Sequence, residues 1–226
     1  IKNMNKHLFL HIGLHKTGTT SIQHVLMSRR KELLKGGILY PKTGFLLRGQ
    51  HNLAWSFVRP RDYKEELGNF NDLKNEISNF SGKNVVISSE DFCLFDNHQI
   101  KNLADLLSEY LVTIIVYFRR QDYLLHSLWI ERAKFFGRVD FDNFYYSQIK
   151  EDNRLDFLEL YERWSNNFKK NHPNANISVK LFDSEIKRGL VKSFLEECLL
   201  NKDSMTNILS NINVKINNPP GIKTFT

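Results

Sequence analysis

Residues 11 to 23 read HIGLHKTGTTSIQ. Two glycines, Gly13 and Gly18, frame one lysine, Lys16, and the hydroxyls of Thr17, Thr19, Thr20 and Ser21 follow or fill the frame. These are the groups that hold an anion. Glycines let the backbone approach a ligand closely, and N–H groups at a helix start point at negative charge. The nucleotide-triphosphate loop needs G-x-x-x-x-G-K-[ST]. Here the glycine spacing is right, but Thr19 stands where that lysine belongs, and the lysine sits inside the loop at Lys16. A phosphate nest survives the change. The cation approaches a different part of the ligand.

A second constellation lies in VYFRRQDYLLHSLW, where Ser127 follows Arg119 by eight residues. Arginine suits planar, multidentate contact with phosphate, and a hydroxyl converging on the same group adds a donor. Arg120 competes for the role at a spacing of seven. Two groups could act as general base. His51, in GQHNLAW, is of the residue type most often used as a general base, and Glu90, in SSEDF, closes an apolar run.

The elements that must position these groups follow from pattern. HLFLHI (7–12), ILYP (38–41), NVVISSE (84–90), LVTIIVYFRR (111–120) and NISVKLFD (176–183) read as strands, most of them short apolar runs as buried strands are. Helices are expected after the loop to Gly36-Gly37, from about Asn52, over 61–80, 97–110, 121–136, 153–169 and 185–200. Strands alternating with helices predict an α/β three-layer sandwich with a central parallel sheet. Ligands bind such sheets beyond the carboxyl ends of the strands, where 13–20, 88–91 and 119–122 cluster.

HKTGTTSIQ after a strand resembles the 5′-phosphosulfate loop of sulfotransferases that use 3′-phosphoadenosine 5′-phosphosulfate (PAPS), most closely the bacterial glycan type. Arg119 and Ser127 match the spacing of that family's 3′-phosphate motif. The usual proline after the arginine is replaced by Arg120 and Gln121, a form the bacterial members often have. The resemblance implies a P-loop-like sulfotransferase architecture. It also implies a donor site of His15, Lys16, Thr17, Gly18, Thr19, Thr20, Ser21, Arg119 and Ser127, with Lys16 at the oxygen bridging phosphate and sulfate. It covers roughly residues 7 to 130 by motif. The family's base lies in the connection after the second strand, where His51 occupies a comparable place. Lys16, His51 and Glu90 are therefore the expected catalytic residues, Glu90 as second base or acceptor-orienting group. KRG at 187–189 has the letters of the family's basic-glycine clamp but lies before a predicted helix, so the lid is unassigned.

The expected reaction is in-line transfer of a sulfuryl group from PAPS to a hydroxyl, with a saccharide as the acceptor class and 3′,5′-ADP as product. Acceptor contacts are expected from Arg48, Gln50, Trp55 and Arg59, and Tyr123, His126 and Trp129 divide between core and site. The alternatives are a P-loop-type nucleotide kinase or NTPase and a non-catalytic anion-binding module. The displaced lysine counts against the kinase, as does the missing aspartate after an apolar strand.

At 226 residues the chain fits one domain spanning 1–226. The opening IKNMNK reads as a cloning remnant or disordered lead, and 217–226 as an irregular tail. Hydrophobic residues make up 41% and charged residues 25%, an ordinary globular balance. A net charge of +7 fits an anionic partner. No nucleic-acid motif stands out. No apolar run reaches membrane length, and no targeting segment is visible, so a cytoplasmic location is expected. Cys93 and Cys198 lack metal-ligand spacing, and no metal is expected.

Overall fold

The computed structural model describes residues 6–137, 139–151, 155–198, 200 and 202–210. The five apolar runs form β1 (His7–His11), β2 (Ile38–Leu39), β3 (Asn84–Ser88), β4 (Leu111–Phe118) and β5 (Ala175–Leu181). They lie in one sheet in the order β2-β3-β1-β4-β5, every pair parallel. Alternation along β1 sends Leu8, Leu10 and Ile12 to one face and Phe9 to the other. Both faces are covered, as parallel sheets require. That is the expected three-layer sandwich.

One layer holds α1 (Thr19–Ser28), α2 (Arg30–Lys35), α9 (Phe182–Arg188), α10 (Leu190–Glu197) and α11 (Lys202–Leu209). Ile22, Val25 and Leu26 of α1 pack there with Phe194 and Leu195 of α10. The other layer holds α3 (His51–Val58), α4 (Phe70–Ser78), α5 (Asn97–Leu106), α6 (Gln121–Phe136), α7 (Phe141–Glu151) and α8 (Phe157–Trp164). Leu73, Leu103, Leu124, Phe144 and Trp164 anchor it. Burial of each such side chain stabilises the fold by about 1.5–3 kcal/mol. Cys93 and Cys198 are free, buried, and on opposite faces.

Several helices differ from the sequence expectation, each for a local reason. The helix after the loop breaks at Arg29, whose backbone (φ −108°, ψ 22°) leaves the helical range. Arg30 then donates to the Tyr40 and Pro41 carbonyls at 2.9 and 3.2 Å. The helix over 61–80 starts late, because Asn69 and Asp72 make a reciprocal capping box. Gly189, at φ +90°, divides the helix over 185–200 into α9 and α10. The 153–169 helix becomes α8 followed by a π-helical turn at Ser165–Lys169. Helices α7 and α11 were not expected. The 217–226 tail and 1–5 lie outside the described residues. Among the described residues no helix is long and apolar enough to cross a membrane.

Sheet order fixes where a ligand fits. From β1 the chain turns to the β2–β3 side, and from β4 to the β5 side. The crevice between β1 and β4 is therefore the switch point at which open α/β sheets bind ligands. The first residues beyond those two strand ends are the glycine loop and Arg119.

Candidate functional site

The loop is built as an extension of β1. Ile12 N–H donates to Ile115, and Gly13 accepts from Tyr117 N–H at 2.9 Å, so pairing with β4 continues to Gly13. The chain then turns sharply. Gly13, Lys16 and Gly18 all have positive φ, at 104°, 64° and 77°. For Lys16 that conformation costs about 1–2 kcal/mol. Two contacts hold it. Thr17 is buried and donates its hydroxyl to the Leu14 carbonyl at 2.6 Å. Arg119 Nη1 donates to the Lys16 carbonyl at 2.9 Å. Gly18 ends the loop as the cap of α1, and it needs to be glycine. A Cβ there would stand 2.3 Å from Leu190 Cδ2 and 3.1 Å from Phe182 Cε2.

Helix α1 starts with no side-chain cap and no acidic residue in its first turn. Its positive dipole end is uncompensated, which favours an anion at that end. Thr20 is exposed and Ser21 half-buried, so both can offer hydroxyls, whereas Thr19 is buried. The hydroxyl of Thr17 is spent on the loop itself.

Arg119 closes the other side of the crevice. Its guanidinium lies over the Phe182 ring at 5.3 Å, and its Nε is buried without a partner. Burial disfavours its charge, and Asp183 and Asp122 offset part of that cost from a distance. Among the described residues no carboxylate comes within ion-pair distance of it, so an incoming anion would meet an underused donor. Arg120 turns outward instead. It pairs with Asp122 at 2.6 Å and stacks on Tyr123 at 4.4 Å, exposed. Ser127 is half-buried two turns along α6.

The tip of β3 brings the candidate bases together. Glu90 packs on Gly13, where a Cβ would sit 3.1 Å from Glu90 Cα. Gln23 Nε2 donates to Glu90 Oε2 at 2.9 Å and to Ser88 Oγ at 3.2 Å. His51 Nε2 stands 3.9 Å from Glu90 Oε2, and its Nδ1 is hydrogen-bonded to Ser89 Oγ at 2.8 Å. Asp91 Oδ2 lies 3.8 Å from that Nδ1. His51 is buried, whereas Glu90 keeps 20% of its side chain exposed. Glu90 is the more accessible base of the two.

Asp91 gathers a second group. It accepts from Trp55 Nε1 at 2.6 Å and faces His15 Nε2 at 3.6 Å and Arg59 at 3.8 Å. Burial opposes charge on both partners. On His15 it is outweighed by Asp91 and Cys93, which hold the imidazole up at about 10. On Asp91 it is outweighed by the facing His15 imidazole and the hydrogen bond from Trp55, which hold the carboxyl down at about 2. Asp91 thus favours the charged form of His15 beside the loop. His11 behaves oppositely. It is wholly buried, burial lowers its pKa to about 4, and Glu90 offsets that only in part.

Part of the connection 41–60 is occupied internally, although Arg48 is exposed. Gln50 is fully buried, donates to the Pro41 carbonyl and accepts from Ser88 N–H. Trp55 is tied to Asp91, and Arg59 stacks on Trp55 at 5.5 Å. Gln50 is therefore a structural strut, and Trp55 points its polar atom inward. Trp129 likewise donates to the Val139 carbonyl. Arg188 of KRG pairs with Glu185 and Glu196 at the α9 end, beside the loop through Leu190.

Gln23, Asp91 and Glu131 escaped the sequence reading. Glu131 contacts the Lys16 ammonium. It stands four residues after Ser127 on α6, one helical turn, and that spacing was the available signal.

No family model and no curated protein matches this sequence. Solved structures do. A sulfotransferase from Alicyclobacillus acidocaldarius superposes with a TM-score of 0.51 over 90% of this chain and 83% of that one, at 16% identity. Mouse sulfotransferase SULT7A1, solved with PAP, gives a TM-score of 0.46 at 16% identity, and the chain spans 63% of its length. The first likeness shows the fold: the chain has the parallel α/β architecture of that bacterial sulfotransferase.

Proposed function

We propose that the protein is a PAPS-dependent sulfotransferase. The observation that carries this is the crevice between β1 and β4. An uncapped helix start and a lysine-bearing glycine loop face an arginine whose buried Nε has no partner. The loop takes the 5′-phosphosulfate, and Arg119 with Ser127 takes the 3′-phosphate that distinguishes this donor from ordinary adenine nucleotides. The acceptor oxygen bonds to sulfur as the bond from sulfur to the bridging oxygen breaks. The hydroxyl proton passes to a base, and 3′,5′-ADP leaves. Lys16 stabilises the charge that develops on the bridging oxygen. Glu90, steadied by Gln23 with His51 behind it, takes the proton. No step needs a metal ion.

The acceptor is a hydroxyl compound, with a saccharide as the favoured class. Since Gln50 and the Trp55 Nε1 of the 41–60 connection are engaged internally, the groove between α6 and α7 is the favoured acceptor path. Glu131, Arg132, Phe135 and Gln148 line it, and aromatic rings beside polar groups suit sugar faces.

Calorimetric titration with 3′,5′-ADP and, in parallel, 5′-AMP, both metal-free, tests the donor. Preference for 3′,5′-ADP is expected, and Arg119→Ala should remove most of it, about 10- to 100-fold for charge-assisted hydrogen bonds. Equal affinity for both nucleotides in the wild type would end the assignment.

A further inference from the structure

Both cations assigned to the donor already have internal partners. Arg119 donates to the Lys16 carbonyl, and the Lys16 ammonium is held by Glu131 Oε1. Lys16 is thus tied at its backbone and at its tip, with a positive φ between. Glu131 lies on α6 one turn beyond Ser127, so the helix that carries a phosphate-binding hydroxyl also carries the carboxylate that occupies the lysine. Neither end of the ion pair is deeply buried: the side chains are 28% and 41% exposed. Such a pair is weak and exchangeable. Glu131 also lines the α6–α7 groove.

We propose that Glu131 is a positioning residue that parks Lys16 in the donor-free enzyme and surrenders it when the donor binds. This rests on the donor reading above. The 5′-phosphate replaces the carboxylate as partner of the ammonium. Glu131 is then released toward the groove, so donor binding changes the charge the acceptor path presents. Donor affinity is lowered by the cost of breaking the pair. A lysine kept off the empty loop also keeps the loop's N–H groups open to the incoming phosphate.

The test is a double-mutant cycle on the full chain, read by calorimetric titration with 3′,5′-ADP. The variants are Glu131→Gln, Lys16→Ala and the pair together. Glu131→Gln should tighten binding about three- to five-fold, the range an exposed pair can supply. In the Lys16→Ala background the same substitution should have little effect. Glu131→Asp should return affinity toward wild type, which loss of a merely structural contact would not produce. Unchanged or weaker binding by Glu131→Gln overturns the proposal. A gain of equal size without Lys16 also overturns it, since Glu131 would then be a remote repelling charge. If wild type binds no 3′,5′-ADP at all, the donor assignment itself has failed, a result distinct from normal binding with no effect of Glu131.

Discussion

At the scale of single residues, Lys16 and Asp91 make opposite kinds of contribution. In the proposed reaction Lys16 matters most when charge develops on the leaving oxygen, so Lys16→Ala should lower kcat by about 10²–10³-fold with a smaller loss of donor affinity. Pre-steady-state turnover measured beside donor titration separates the two. Asp91 is structural. Its carboxyl falls from 3.8 to about 2 on folding, and His15 rises from 6.5 to about 10. A lowered acid contributes stability present above 3.8 and lost as pH falls toward 2. A raised base contributes stability present below 6.5 and lost as pH rises toward 10. The pair is therefore fully effective between those limits. The two shifts share the His15–Asp91 attraction and do not add. Trp55 and Arg59 also lower Asp91, and Cys93 and Glu90 also raise His15, so the smaller shift bounds the pair at about 2 kcal/mol. Asp91→Asn keeps an acceptor for Trp55 but removes the charge. It should cost up to about 2 kcal/mol near pH 5.5, much less at pH 2, and a reduced amount at pH 10, where His15 loses its charge but Arg59 and Trp55 still face the carboxylate, by urea unfolding. A constant loss at all pH values would show that charge is not what Asp91 supplies. The loop, Arg119 and Glu90 were legible because their motifs are local and sit at strand ends. The Lys16–Glu131 contact spans 115 residues and the Gln23–Glu90 bond 67, so neither could be read before the sheet order was known.

At the scale of elements, the loop is positioned by helices from late in the chain. Leu190 opens α10 and Phe182 opens α9, and both press on Gly18. Gly18→Ala meets two penalties: a Cβ 2.3 Å from Leu190 Cδ2 and a backbone at φ +77°. Relief of the first is separable from the second. Gly18→Ala should destabilise by about 2–4 kcal/mol, and adding Leu190→Ala should recover part of what the single change loses. No recovery would mean that the backbone angle alone is responsible. The inner strands were legible because a strand buried on both faces is a run of apolar residues whatever its neighbours, and the edge strand β5, largely exposed, was legible from its alternation of polar and apolar residues. Helix boundaries were less so. The split at Arg29 accompanies Arg30 reaching the Tyr40 and Pro41 carbonyls, and that at Gly189 a positive φ, and neither shows in the apolar pattern. Helix α7, with Phe141, Phe144, Tyr145 and Tyr146, is rich in residues of low helix propensity, and its tertiary contacts outweigh them. The internal roles of Gln50 and of the Trp55 Nε1 were hidden for a similar reason. A polar side chain in a long connection cannot be told from a strut until its partners are known.

At the scale of the whole molecule, charge and topology point to the same ligand. The chain carries +7, and the switch point of its sheet places a helix start, Lys16, His15 and Arg119 around one crevice. A polyanion bound there stabilises the entire fold, because it binds the folded chain and not the unfolded one. At one hundred times its Kd, 3′,5′-ADP should add about 2.7 kcal/mol. For a domain of this size each kcal/mol moves Tm by about 2–4 °C, so a rise of about 5–10 °C is expected. Electrostatic attraction fades as the Debye length falls from about 10 Å at 0.1 M to about 3 Å at 1 M salt. At a fixed concentration of 3′,5′-ADP the rise should therefore shrink with added salt. Chelator should not change it, whereas a kinase would instead respond to ATP with Mg²⁺. A rise that needs Mg²⁺ would place the metal among the phosphate ligands. It would return the Gly13–Gly18 loop to ordinary nucleotide-triphosphate chemistry, with Lys16 serving some other contact.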